Sequence, residues 1–160
     1  MSTISPRHAC SASSCIPVDP VEAHDVAEAF FDALGHFAGE QPAIEDLTRM
    51  LAPHAEILDG ADDDRGFVRY ERDAWLRHLE ETSALRPSAP SGRFFEEVRR
   101  TVTDCAPEVR VGSIVEERWT FGADVEVVDT LRCALVVGRV GAQASIVQVK
   151  VRRSSRPPPR

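Results

Sequence analysis

Between Val109 and Val151, apolar residues recur at every second position in three successive runs separated by short turns. Val109, Val111, Val115, Trp119 and Phe121 share one face of the first run. Val125, Val127, Leu131, Leu135 and Val137 share a face of the second, and Val147, Val149 and Val151 line the third. A period of two is the signature of a strand with one buried face. The intervening segments, Gly122-Ala123-Asp124 and Gly138 to Gly141, are too short for anything but antiparallel neighbours. Phe94 to Thr103 alternates more loosely and adds a strand ahead of these three. Such a sheet must have its apolar face covered, and only the residues that precede it are available to do so.

Those residues carry helix signals. Asp19 is a good N-cap, Pro20 suits the first helical position, and Glu22 completes a capping box. Val26, Phe30, Ala33, Leu34 and Phe37 follow at helical spacing, and Gly39 is placed to end the helix. Pro42 opens a second, shorter helix whose buried face is Ile44, Leu47, Met50 and Leu51, and Pro53 stops it. Ala55 to Asp59 reads as a short strand, and Gly60 to Gly66 as an acidic turn. A third helix is expected from about Tyr70 to Glu81, with Trp75, Leu76 and Leu79 on its apolar face. Pro87, Ser88, Pro90, Ser91 and Gly92 form a loop before the sheet. The fold class is therefore α+β, with N-terminal helices packed in a strongly curved antiparallel sheet, a cone with an open mouth.

At 160 residues the chain suits one domain, expected over 19–152 between a disordered N-terminal tail, 1–18, and a basic, Pro-rich tail, 153–160. The formal net charge of −7 argues against nucleic acid as a partner. No stretch is long and apolar enough to span a membrane, and the N-terminus lacks the apolar core of a secretory signal, so the expected location is cytoplasmic. Cys105 and Cys133 lie in strand-like runs, where a free thiol behaves as a small apolar group. Cys10, Cys15 and His8 match no common zinc spacing, and neither a metal nor a cofactor is expected.

Three segments carry a family resemblance. They are Val26-Ala-Glu-Ala-Phe-Phe-Asp-Ala-Leu34, Leu47-Thr-Arg-Met-Leu-Ala-Pro-His-Ala-Glu-Ile-Leu-Asp-Gly60, and Arg72-Asp-Ala-Trp-Leu-Arg-His-Leu79. With the order of elements, residues 20 to 152 resemble the nuclear transport factor 2-like superfamily, including SnoaL-like cyclases and ketosteroid isomerases. The resemblance implies that Asp59, at the end of the first strand, moves a proton between carbons of a ligand. It places an oxyanion-stabilising Tyr where this chain has Phe30, so half of that oxyanion hole is missing. The second acidic position of the isomerases falls closest to Cys133, with Asp129 one inward step earlier.

Asp129 interrupts the apolar face between Val127 and Leu131, where an isolated carboxylate has a raised pKa. It is a candidate general acid beside Asp59 as base, although Asp59-Gly60 also reads as a turn pair. Glu117 shares a face with Val115 and Trp119, at the pocket or the sheet's rim. Arg100 would complete an Asp-Arg-Asp set like that of limonene-epoxide-hydrolase-like proteins, or make a surface ion pair. Tyr70 stands near the expected mouth, and Trp75 and Trp119 serve as core or pocket wall. His24, His36, His54 and His78 have no partner by spacing and are read as surface or structural.

The expected activity is cofactor-independent isomerisation, cyclisation or epoxide hydrolysis of a small apolar metabolite by pocket carboxylates. The alternative is a non-catalytic ligand-binding or dimerisation module. A homodimer would form through the outer sheet face, where Ile114 and Ala134 sit between Arg110, Arg118 and Arg132.

Overall fold

The computed structural model describes residues 16–36, 40–61, 66–84, 91–121 and 124–154. Its elements run α1 (Pro20–Leu34), α2 (Ile44–Met50), β1 (Leu51–Ala61), β2 (Phe67–Glu71), α3 (Arg72–Ala84), β3 (Ser91–Cys105), β4 (Glu108–Phe121), β5 (Asp124–Val140) and β6 (Gln143–Ser154). The six strands form one curved sheet in the order β2-β1-β6-β5-β4-β3, with β2 and β3 as its edges. β3 to β6 make the antiparallel meander that the alternation dictates. β1 pairs antiparallel with β2 but parallel with β6, so the last strand returns to lie beside the first.

α1 begins as its sequence requires. The Asp19 carboxylate accepts from the Val21 N–H at 2.7 Å, and Glu22 accepts from the Asp19 N–H at 3.2 Å. The helix turns Ala23, Ala27, Phe30, Phe31, Ala33 and Leu34 inward. Phe30 stacks on Trp75 of α3 at 6.2 Å and packs edge-on against Phe31. Below them lies the inner face of the sheet: Val109, Val111 and Val115 on β4, Leu131 and Leu135 on β5, Val149 on β6 and Ile57 on β1, all buried. Apolar area on this scale, removed from water, is the main force holding the helices in the sheet's concavity.

Some boundaries differ from those read off the sequence. Helix one ends at Leu34, since Gly35 is already extended, while Gly39 and Phe37 lie outside the described residues. The strand after α2 starts at Leu51 and runs through Pro53. Phe67–Glu71 forms strand β2 and takes in Tyr70, where the sequence reading starts helix three, because β1 offers it a ladder from Glu56 to Gly60. The last strand reaches Ser154 and takes in Arg153, which the sequence reading assigns to the tail. The tail residues 1–15 and 155–160, with His8, Cys10 and Cys15, lie outside the described residues, as do Asp62 to Arg65 of the acidic turn. No helix among the described residues is long and apolar enough to cross a membrane.

Candidate functional site

The cavity of interest, about 480 Å³, opens where β1, β2 and α3 meet the ends of β3 and β6. Asp59, Tyr70, His78, Thr82, Arg93 and Arg153 line it, together with Gly60, Gly66, Val68 and Leu79. Asp59 reaches it from β1, held between Val68 of β2 and Val151 of β6. The next residue must be glycine: a Cβ on Gly60 would come within 2.8 Å of the Gly66 carbonyl oxygen and of the Phe67 ring. Gly66 itself has φ +78°, in the region that favours glycine. The Asp-Gly pair thus admits a close return of the chain while the Asp carboxylate stays on the ladder.

Arg153 sits at the end of the inner row that begins Val149, Val151. Its guanidinium lies 3.3 Å from Asp59 and 3.4 Å from Glu117. Arg93 enters from the start of β3, which is tied to His36, two residues beyond α1, by two 2.8 Å backbone hydrogen bonds. Its guanidinium donates to Glu117 at 2.7–2.8 Å and lies over the rings of Phe95 and Trp119. Glu117 is only 2% exposed. A carboxylate at such depth persists only when its charge is matched, and here two arginines share it. Asp129 is directly opposite Glu117 on β5. Burial pushes its carboxyl above the usual range and Glu117 adds to the shift, while Arg153 and Arg93 pull part of the way back.

The remaining candidates separate into three groups. Tyr70 is on the cavity wall, its ring stacked on His78 at 5.3 Å. Phe30, Trp75 and Trp119 are buried in the interior and do not line the cavity. Cys133 is buried on the inner face, where burial raises its thiol to about 12. Arg100 stands in a separate cluster: it donates to Glu97 at 2.7 Å and to the His24 carbonyl at 3.3 Å, and Ser113 donates to Glu97 at 2.9 Å. That cluster ties β3 to α1. A register shift between Glu97 and Arg99 explains its placement, since it puts Arg93, Phe95 and Glu97 on the face shared by Arg100 and Val102, and Phe94 and Glu96 on the other. A second shift, after Glu117, puts Val127 opposite Arg118 rather than in the Asp129 row.

Sequence reasoning missed Arg93, Arg153 and His78. Arg153 had a signal, because two steps beyond Val149 and Val151 the alternation arrives at it. Arg93 was hidden by the bulge between it and the readable part of its strand. His54 is exposed, and His36 is buried beside β3. Among the described residues no group of three or more His, Cys, Asp or Glu side chains is placed to hold a metal ion.

Solved structures share this arrangement of elements. A protein from Catenulispora acidiphila in complex with S-DNPA superposes with a TM-score of 0.65 at 14% identity, over 83% of this chain and 91% of that one. ActVI-ORFA from Streptomyces coelicolor gives 0.65 at 9% identity, over 83% and 95%. An NTF2-like protein of unknown function from Pseudomonas putida KT2440 gives 0.61 at 16% identity, over 83% and 84%. The chain has the nuclear transport factor 2-like cone fold. No protein-family model and no curated protein sequence matches it. In this fold the cavity is lined by the charged groups Asp59, Arg93 and Arg153; Glu117 is contacted by both arginines, and neither it nor Asp129 is among the lining residues.

Proposed function

We propose that this chain is a cofactor-independent acid–base enzyme of the cytoplasm, moving protons on a small metabolite by isomerisation, cyclisation or epoxide opening. The observation that carries the reading is the differentiation of its carboxyls. Asp59 lines the cavity beside the Arg153 guanidinium, Glu117 is consumed by two arginines, and Asp129 has its pKa raised. A carboxyl of raised pKa suits the role of acid, beside a second carboxyl that takes the role of base.

In this reading Asp59 is the base and takes a proton from a carbon next to a carbonyl, or from the water that attacks an epoxide. Asp129 donates a proton to the oxygen on which negative charge develops. Arg93 and Arg153 aim N–H groups at that oxygen, replacing the hydroxyl that Phe30 lacks. Six of the ten lining residues carry polar or charged side chains, so the metabolite combines an apolar body with at least one oxygen function. The S-DNPA complex of the Catenulispora protein supports a ligand site in this fold.

The test is a thermal-shift screen of small carbonyl and epoxide compounds, followed by turnover of those that bind. Asp59→Asn should lower kcat at least about 100-fold and leave the melting temperature within about 2 °C. Full turnover by that variant would remove Asp59 from the mechanism. Compounds that bind without being turned over favour a second reading, a ligand-binding module. One observation supports it: Asp59 and Glu117 are already engaged by arginines.

A further inference from the structure

The convex face of the sheet carries a cationic surface that the cavity does not use. Arg99, Ile114, Arg132 and Arg152 are consecutive partners across β3, β4, β5 and β6. Lys150 and Arg110 extend the patch along their own strands, and all five cations are exposed. Elsewhere on this face the charges are matched: Arg69 pairs with Glu56, and Arg118 with Glu96 and Glu116. Among the described residues, none of Arg99, Arg110, Arg132, Lys150 and Arg152 is in an ion pair. Arg132 and Arg152 are directly opposed on neighbouring strands, an arrangement that destabilises a sheet. The chain has 26 acidic residues and a net charge of −7, yet among the described residues the acidic neighbour Glu116 on this face pairs with Arg118 and none pairs with these five cations. The residues between the cations are uncharged: Ile114, Gly112, Ala134 and Thr101.

We propose that this face docks an acidic segment of a partner protein. Guanidinium groups pair bidentately with carboxylates. The row from Arg99 to Arg152 crosses three strand spacings, about 14 Å. Carboxylates at i, i+3 and i+7 of a helix span about 10 Å and reach several of these arginines at once. Nucleic acid fits less well. Phe67 lies 4.8 Å from the Lys150 ammonium and 5.1 Å from the Arg152 guanidinium, so it is engaged with these cations rather than open as a stacking platform, and a long polyanion would run beyond the patch onto an acidic protein. A second copy meeting this face through a twofold axis would set Arg132 and Arg152 against their own equivalents.

The test uses the full chain and labelled poly-L-glutamate, followed by fluorescence anisotropy at low and at physiological salt. Binding should weaken with salt, and the R132E/R152E double variant should weaken it at least about tenfold. Single Arg132→Thr and Arg152→Thr variants should melt at or above the wild-type temperature, because they remove an unrelieved repulsion. Four results would overturn the proposal. They are absence of binding at low salt, binding indifferent to R132E/R152E, duplex DNA of equal charge binding tighter than poly-L-glutamate, and a wild-type dimer that R132E/R152E turns into a monomer. A marked drop in melting temperature for the Thr variants would also overturn it, by making the cluster structural.

Discussion

Glu117 and Asp129 face each other across β4 and β5, and only one of them has been given arginines. Arg93 and Arg153 both contact Glu117. Asp129 feels those cations without an ion pair of its own among the described residues, and burial and Glu117 raise its pKa. Two carboxyls at one level of the sheet therefore differ in their partners, and this asymmetry is the basis of the acid–base reading.

The asymmetry has a pH signature. Between the ordinary aspartate pKa and the raised one, the folded protein holds more protons than the unfolded chain, so Asp129 makes stability fall as pH rises through that window. Asp129→Asn should raise the melting temperature at neutral pH, and the gain should vanish below about pH 4, where the wild-type carboxyl is protonated in both states. Melting curves of both proteins across pH check this. A gain of equal size at every pH would place the effect elsewhere.

The Arg93–Glu117 pair predicts non-additivity. Arg93→Met leaves a carboxylate of 2% exposure with only the longer Arg153 contact. It should destabilise the fold by about 3 kcal/mol. Replacing both residues, Arg93→Met with Glu117→Leu, should recover most of that loss, because the buried carboxylate is removed together with its partner. Urea denaturation of the single and double variants measures the coupling.

Cys133 should be inert. With its thiol raised to about 12 and its side chain buried, essentially no thiolate exists at neutral pH. In a chain with Cys10, Cys15 and exposed Cys105 changed to Ser, iodoacetamide should label Cys133 only after unfolding. Labelling at a native rate comparable with a free thiol would refute the burial.

Phe30 separates a core role from a pocket role. It is fully buried against Trp75 and Phe31. Adding a hydroxyl here, by Phe30→Tyr, should destabilise the protein by about 1–3 kcal/mol, the penalty for an unpaired buried polar group, and should leave ligand binding unchanged. Thermal melts and ligand titration read the two effects separately.

The sequence by itself determined the elements that have a local cause. The Asp19-Pro20-Glu22 cap starts α1, and the period-two runs from Val109 to Val151 make the meander; Asp59 before Gly60 is legible only as a candidate carboxylate. Sequence could not decide which charges meet. That depended on two register shifts, at Val98 in β3 and at Val128 in β5, across each of which that strand's alternation reverses. It also depended on the parallel return of β6 alongside β1, which carries Arg153 from the edge of an apparent tail to within 3.3 Å of Asp59. Periodicity is written in neighbouring residues, whereas the Asp59–Arg153 and Arg93–Glu117 pairs join residues 94 and 24 positions apart, and only the closing of the sheet around its helices brings them together.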